Sequence, residues 1–324
     1  MDEMPPLWDN VPLPTGSVPA LIAEFSAWPP CNRSTRITPW TESHTPIRPL
    51  VSAPRLSRVL WYDRSVRAQL LIVFILIMSG FWLMFMQLFD LLPNFIVDWV
   101  DSSALVKSLH IPAMMTTQTA RGTMITQEWM INLDSFLIVL LVVWLSHLVS
   151  RMRRVTSIFL GIVIASAGLL AAGFTMSGGA CLAGIALFAI GEMLSSPKMN
   201  EYLGVIAPEG KKGLYMGYAN MPTAIGWAYG SFMAGDLYGK MGEKAGLALR
   251  YLQEHGGVPA GVDRTNAMEA MQRTFGMDAS TATTTLWNTY HPYQLWYPFV
   301  AVGLASAVGT WLYAMWVKKA EGDI

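Results

Sequence analysis

Six long runs of apolar residues constrain the fold of this chain more than any other feature of its sequence. Each run is close to the roughly 20 residues that an α-helix needs to cross a bilayer core of about 30 Å. The chain is 53% hydrophobic and 14% charged, which is too apolar and too weakly charged for an ordinary soluble domain. We therefore predict an all-α membrane protein with six transmembrane helices. The predicted spans are 68–97, 130–150, 155–176, 180–203, 214–239 and 292–317.

The regions outside the spans predict the domain organisation. Eleven of the 19 prolines lie in residues 1–65, which lack a helical apolar period, so this segment is predicted to be an irregular, Pro-rich tail. Trp8, Trp28 and Trp40 are unusual in such a tail and indicate packing on a partner or on the membrane surface. Residues 66–318 form the predicted six-helix domain, with a long extracytoplasmic loop at 240–290, and 319–324 form a short C-terminus.

The distribution of Lys and Arg predicts the orientation, because short cytoplasmic loops carry an excess of these residues. Basic residues precede the first span, join the second to the third, join the fourth to the fifth and follow the sixth, and these sides alternate without conflict. We therefore expect both termini to be cytoplasmic. The residues are Arg55, Arg58, Arg64, Arg67, Arg151, Arg153, Arg154, Lys198, Lys211, Lys212, Lys318 and Lys319.

Glu192 is the most informative polar residue, because it lies deep in the fourth apolar run. A charged side chain at the centre of a bilayer costs roughly 2.5 kcal/mol or more, and such residues commonly mark ion or substrate pathways. Two interpretations stay open: a water-filled pathway beside Glu192, or a buried structural partner. The carboxylates nearer the predicted outer ends of the spans are expected to be solvated. These are Asp90, Asp98, Asp134 and Asp236.

The sequence argues against several other classes of function. The formal net charge is zero, so a concentrated phosphate-binding surface and a nucleic-acid partner are not expected. Cys31 and Cys181 lie far apart and the five histidines are scattered, so we expect no disulfide framework, metal, haem or other cofactor. The sequence also lacks a nucleophile elbow, a P-loop and a glycine-rich dinucleotide motif, so we do not expect an enzyme.

Local sequences in four places resemble the C-terminal half of a major facilitator superfamily transporter. They are most similar to the proton-coupled oligopeptide transporter (POT) branch, and the resemblance covers roughly residues 66–318. The matching sequences are PheTrpXXPheXGln at 81–87, TrpXXAsn at 129–132, GlyGluXXXSerPro at 191–197 and AlaPro…GlyXXMetGly at 207–217. In that family they correspond to the seventh helix, the eighth, the tenth and the turn into the eleventh.

The resemblance implies roles for four residues. In the family, the tenth-helix glutamate and eighth-helix asparagine face a central cavity and hold the amino end of a peptide, and these roles fall on Glu192 and Asn132. Trp82 and Gln87 are implied near the cavity wall. The acidic residue that usually precedes the seventh-helix glutamine is Met86 here. The AsnPro pair of the eighth helix is Asn132–Leu133, and the GluXXGluArg motif of the N-terminal half is absent.

Three hypotheses for function follow. The first is a half-size transporter subunit that pairs with itself or with a second half to form a solute and proton pathway, since alternating access needs two six-helix halves. The second is a non-transporting structural or accessory subunit of a larger membrane complex, assembled through the tail and the lipid-facing helices. The third is an accessory protein that holds a pigment or lipid. The expected partners are membrane lipids and either a second copy or a larger complex.

Overall fold

The computed structural model describes residues 64–207 and 210–321. The predicted Pro-rich tail, with its three tryptophans, lies outside the described residues apart from its last two positions. Five helical segments are long and apolar enough to cross a membrane. They cover Gln69–Asp90, Gln127–His147, Arg154–Gly173, Gly178–Ile206 and Pro292–Val317, which match five of the six predicted spans.

The first predicted span is a helical rod in three pieces: α1 (Arg64–Phe85), α2 (Gln87–Asp90) and α3 (Leu92–Trp99). The main-chain ladder continues across both joints. The amide of Met86 donates to the carbonyl of Trp82 (3.0 Å), and the amide of Phe95 donates to the carbonyl of Leu91 (3.2 Å). Pro93 lies in the first turn of α3, where its missing amide hydrogen leaves no hydrogen bond unmade.

The other spans follow in order. They are α5 (Gln127–Ser150), α6 (Arg154–Gly173), α7 (Gly178–Ile206) and α13 (Trp296–Glu321), the last preceded by a 3₁₀ turn at Pro292–Leu295. The predicted fifth span, 214–239, is divided between α8 (Lys212–Tyr218) and α9 (Asn220–Leu237), and it is not among the five. Asn220, Asp236 and three glycines make α9 less apolar than the other long helices.

The segments between the spans contain more structure than the sequence predicted. A short helix, α4 (Ser103–Leu109), precedes an antiparallel hairpin of β1 (Thr116–Thr119) and β2 (Gly122–Ile125), which the all-α prediction did not include. The segment predicted as a long loop holds a π-helical turn at Tyr238–Gly242 and three helices. These are α10 (Lys244–His255), α11 (Ala267–Phe275) and α12 (Ala279–Tyr290). We call the end of the bundle that carries α4, the β1–β2 hairpin, the π-helical turn and α10–α12 the hairpin end.

Two glycines on each helix bring α6 and α7 into backbone contact. A Cβ atom on Gly184 would lie 2.3 Å from the amide nitrogen of Ala172, and one on Gly168 would lie 2.4 Å from that of Phe188. Gly161, seven residues before Gly168 on α6, and Gly191, seven residues after Gly184 on α7, make the equivalent contact. Such close approach, typical of small residues in membrane helices, maximises van der Waals contact where the hydrophobic effect supplies no attraction.

Close contacts at glycines also join α13 and α9 to α1. A Cβ on Gly80 would lie 2.3 Å from Ser306 Oγ of α13, and one on Gly226 of α9 would lie 2.5 Å from the carbonyl oxygen of Ser79. Gly230 packs against Gln87 and Leu83 in the same way, so α9 lies beside α1 along its length. The predicted fifth span also contains Gly217 and Gly235, but neither has an atom within 4 Å of a built Cβ.

Candidate functional site

Glu192 lies in the middle of α7, 14 residues after its first residue Gly178, or roughly 21 Å along the axis at 1.5 Å per residue. The side chain is partly exposed, and its Oε2 atom is buried without a hydrogen-bond partner among the described residues. The helix around it is apolar and buried on the side facing α6, where Gly191 forms the backbone contact. The backbone therefore fixes the depth and direction of this carboxyl group.

Asp134 lies beside Glu192, and the sequence analysis did not predict that these two residues are neighbours. Its side chain is only 1% exposed, and its Oδ1 atom has no hydrogen-bond partner among the described residues. The carboxyl groups of Asp134 and Glu192 lie close enough to interact electrostatically. The expectation of a solvated carboxylate at 134 was wrong, because α5 begins three residues earlier than predicted and places Asp134 about two turns inside the helix. Asp134 follows Met130 by four residues and so shares its face, but the burial of that face depends on how α5 packs against its neighbours.

Unlike Asp134, the other carboxylates that were expected to be solvated form hydrogen bonds or ion pairs. Asp90 accepts hydrogen bonds from Trp227 Nε1 (2.8 Å) and Ser231 Oγ (2.5 Å), and so joins α2 to α9. Asp98 accepts from the Tyr238 hydroxyl (2.5 Å) at the hairpin end. Asp236 is exposed, as expected, and forms an ion pair with Lys240 at 2.6 Å.

Asn132 and Gln87 occupy different surroundings from Glu192. Asn132 is exposed on α5 and forms no hydrogen bond with Glu192 in the described structure. Gln87 is fully buried: its Nε2 donates to the carbonyl of Leu83 (2.8 Å) and packs on Gly230, while its Oε1 has no partner among the described residues. The structure thus does not join either residue to the Glu192 carboxyl group.

Trp82 borders a small cavity next to the Glu192 face of α7. The cavity has a volume of about 20 Å³, which is room for one water molecule. Ser196, one helical turn after Glu192, contributes a buried hydroxyl without a described partner. The other lining residues are Phe74, Met78, Met199, Asn200, Leu203, Ala219 and Pro222.

A second cluster of charges lies at the hairpin end. Lys244 donates through its amide to Asp98 Oδ2 (3.1 Å) and through its ammonium group to the Asp98 carbonyl, and it lies over the ring of Trp99 at 5.8 Å. Burial, together with the nearby Arg121 charge, lowers the pKa of Lys244 to about 8, and Asp98 opposes this shift. Burial and the Asp98 charge raise the pKa of Tyr238.

Arg121 attaches the hairpin to α3. Its guanidinium group donates to the carbonyls of Trp99 (3.2 Å) and Val97 (3.0 Å), two of the last acceptors of that helix. Burial lowers the pKa of Arg121, while Asp101 and Asp98 oppose the shift. A cavity of about 240 Å³ lies beside Arg121. The guanidinium group of Arg121 already donates to the two carbonyls within the protein.

Comparison with known proteins identifies no family. No family model matches the sequence, and no curated protein matches it. Among solved structures, the chain is similar to one described as a POT family transporter in complex with 5-aminolevulinic acid. The two are 13% identical with a TM-score of 0.42, over 74% of this chain and 45% of that one. The chain thus spans less than half of that transporter's length, and a likeness this low carries no argument about function.

Proposed function

We propose that residues 64–321 form one six-helix unit of a membrane transporter, with Glu192 on the wall of its solute pathway. The observation that carries the proposal is the Glu192 carboxyl group, partly exposed at mid-helix in an apolar span, with a buried oxygen that no described residue satisfies. A structural acid at this depth would need a cation as partner, and a buried ion without one costs several kcal/mol. A water-filled pathway removes that cost.

The proposal takes α9 as the sixth membrane crossing. Its 18 residues extend roughly 27 Å at 1.5 Å per residue, close to the thickness of the hydrocarbon core. It lies alongside α1 through Gly226 and Gly230, and Trp227 and Ser231 bond to Asp90. Through these bonds Trp227 and Ser231 direct their polar groups at a neighbouring helix. Asn220 and Asp236 lie at the two ends of α9, where polar side chains can reach the membrane interface. With six crossings, both termini lie on the same side, and the basic loops favour the cytoplasm.

Alternating access between two sides of a membrane is usually achieved by two such units that rock about a site at their interface. We therefore propose that a second six-helix unit, either a second copy or another polypeptide, completes the pathway opposite Glu192. The resemblance of the span sequences to POT transporters supports a peptide-like solute and coupling to protons.

Uptake by the full-length protein in lipid vesicles tests this proposal. With an inward proton gradient, we expect wild-type vesicles to accumulate a labelled dipeptide and Glu192→Gln vesicles to show only background uptake. Asp236→Asn is the matched control, because it neutralises an exposed carboxylate paired with Lys240. If Glu192→Gln folds normally and transports at the wild-type rate, Glu192 has no part in the pathway.

One observation favours the second candidate, a structural subunit of a larger membrane complex. The cavity beside Trp82 holds about one water molecule and is too small for a solute. Purification from the native membrane, followed by mass measurement of the intact assembly, separates the two candidates. A pair of six-helix units favours transport, whereas a stable assembly of many different subunits favours a structural role.

A further inference from the structure

The Asp134 and Glu192 carboxyl groups are unusual among the acids in the described residues because each has a buried oxygen without a donor. Asp134 is 1% exposed between apolar helices, and Glu192 is the charged group beside it. Oδ1 of Asp134 and Oε2 of Glu192 both lie out of contact with solvent and without a partner among the described residues. By contrast, Asp90 and Asp98 accept hydrogen bonds from neighbouring helices or turns.

Several cations on the surrounding helices form ion pairs or hydrogen bonds with other groups. On α7, Lys198 binds Glu201 at 2.7 Å, and Arg154 of α6 binds the same carboxylate at 2.6 Å. On α5, His147 contacts Arg151 at 3.3 Å, near the end of the helix remote from Asp134. The charged groups on the adjoining short helices are Lys212 of α8, packed against Gly204, Lys107 of α4 and Asp98 of α3. In the described structure, no ion pair joins any of these cations to the two carboxyl groups.

Two neighbouring carboxyl groups in an apolar environment cannot both be ionised without a large repulsion, and a single shared proton relieves it. We propose that Asp134 and Glu192 form one proton-binding site, in which Asp134 is the buried member and Glu192 is the member that exchanges with solvent. Binding a proton neutralises one carboxyl group, and the remaining negative charge accepts its hydrogen bond. Release returns the proton to water through the exposed side of Glu192. The role of the pair in coupling rests on the proposed transport function, whereas proton binding does not.

This site assigns a function to a residue on the second span. Glu192 is the one acidic residue to which the resemblance to POT transporters gives a role, and Met86 stands where that family usually has a seventh-helix acid. Asp134 supplies a second carboxyl group from a different helix, α5. Because α5 and α7 each contribute one member, the protonation state of the pair changes the electrostatic force between the two helices. Proton release increases the repulsion between them and proton binding decreases it.

Infrared spectroscopy of the full-length protein in lipid nanodiscs, titrated with pH, tests the shared site. The carbonyl stretch of a protonated carboxyl group reports each group directly, and Asp134→Asn and Glu192→Gln identify its source. We expect the wild-type pair to lose one proton at a midpoint that falls by about one pH unit or more when either partner is neutralised, because the survivor no longer has a carboxylate beside it. Asp236→Asn should leave this midpoint unchanged.

A midpoint in Glu192→Gln that equals the wild-type value would overturn the proposal, since the two groups would then titrate independently. A midpoint that depends on sodium at constant ionic strength would also overturn it, because a metal ion would then occupy the site. If Asp134→Asn fails to fold, Glu192→Gln alone still decides, since Asp134 remains as the reporter. A shared proton in a protein without dipeptide uptake would support this site and reject the transport function.

Discussion

The spans and the hairpin end are held together by different kinds of contact. Between α6 and α7, glycines allow backbone atoms to touch without any charge, and the ion pair of Arg154 with Glu201 lies beyond these glycines, near one end of the two helices. At the hairpin end, Asp98, Tyr238, Lys244 and Arg121 connect segments distant in sequence through hydrogen bonds and buried charges. The difference shows that the apolar bundle depends on shape, whereas the solvent-facing end depends on electrostatics and therefore on pH.

The largest expected effect is in the bundle. Gly184→Ala would place a Cβ 2.3 Å from the amide nitrogen of Ala172, so α6 and α7 must separate. Overpacking typically costs about 1–3 kcal/mol, and backbone atoms cannot rotate away, so we expect the upper end of that range. Thermal unfolding in one fixed detergent measures the loss. Gly235→Ala is the matched control, since nothing lies within 4 Å of its built Cβ. Equal stability of the two variants would contradict the shape-based account.

The hairpin end should respond to pH through Lys244. Its pKa is lowered from 10.5 in the unfolded chain to about 8 in the folded protein, so between these values the unfolded state binds more protons. The free energy of unfolding should therefore rise with pH across this window, by about 2 kcal/mol between pH 8 and 10. Unfolding at a series of pH values checks this. Lys244→Met should flatten the rise, whereas Lys240→Met, on the exposed pair with Asp236, should preserve it.

The smallest loss of stability is expected at the hydrogen bond from Trp227 to Asp90, which is a polar contact between helices of the bundle. Trp227→Phe retains most of the ring but removes the 2.8 Å hydrogen bond. We expect a loss of about 1 kcal/mol, because Ser231 still donates to the same carboxylate and Trp227 is half exposed. Unfolding under the same conditions measures it, with Trp129→Phe as the control on a second exposed tryptophan. A loss of stability comparable to that of Gly184→Ala would contradict this account, because polar contacts would then stabilise the bundle as much as close packing at glycines does.

Five spans could be predicted from sequence because the length and composition of an apolar run are sufficient to identify a membrane helix. The predicted fifth span was not read as two helices, although Asn220 and Pro222 follow the break at Ala219 and a proline is tolerated in the first turn of a new helix. The depth of Glu192 was predictable from its position in one helix. The burial of Asp134 was not, because it depends on how α5 packs against α7, which local composition does not encode.

The hairpin end was the least predictable region. Its contacts join residues 140 or more positions apart, such as Asp98 with Tyr238 and Lys244. Each partner is an ordinary polar residue in a polar segment, so a local pattern gives no indication of the pairing. The segment 240–290 was predicted as a long loop, and the structure forms α10, α11 and α12 there.

Only 11% of the α5 span is buried within the described protein, against 56% of α7, although the two are similarly apolar. Phe136, Val139, Val143 and Trp144 all point away from the other helices. We expect acyl chains, or another polypeptide, to supply the contacts that this helix lacks within the described protein. The integrity of α5 is therefore a joint property of the protein and its surroundings, so that shortening the lipid tails should disturb α5 before it disturbs α6 or α7.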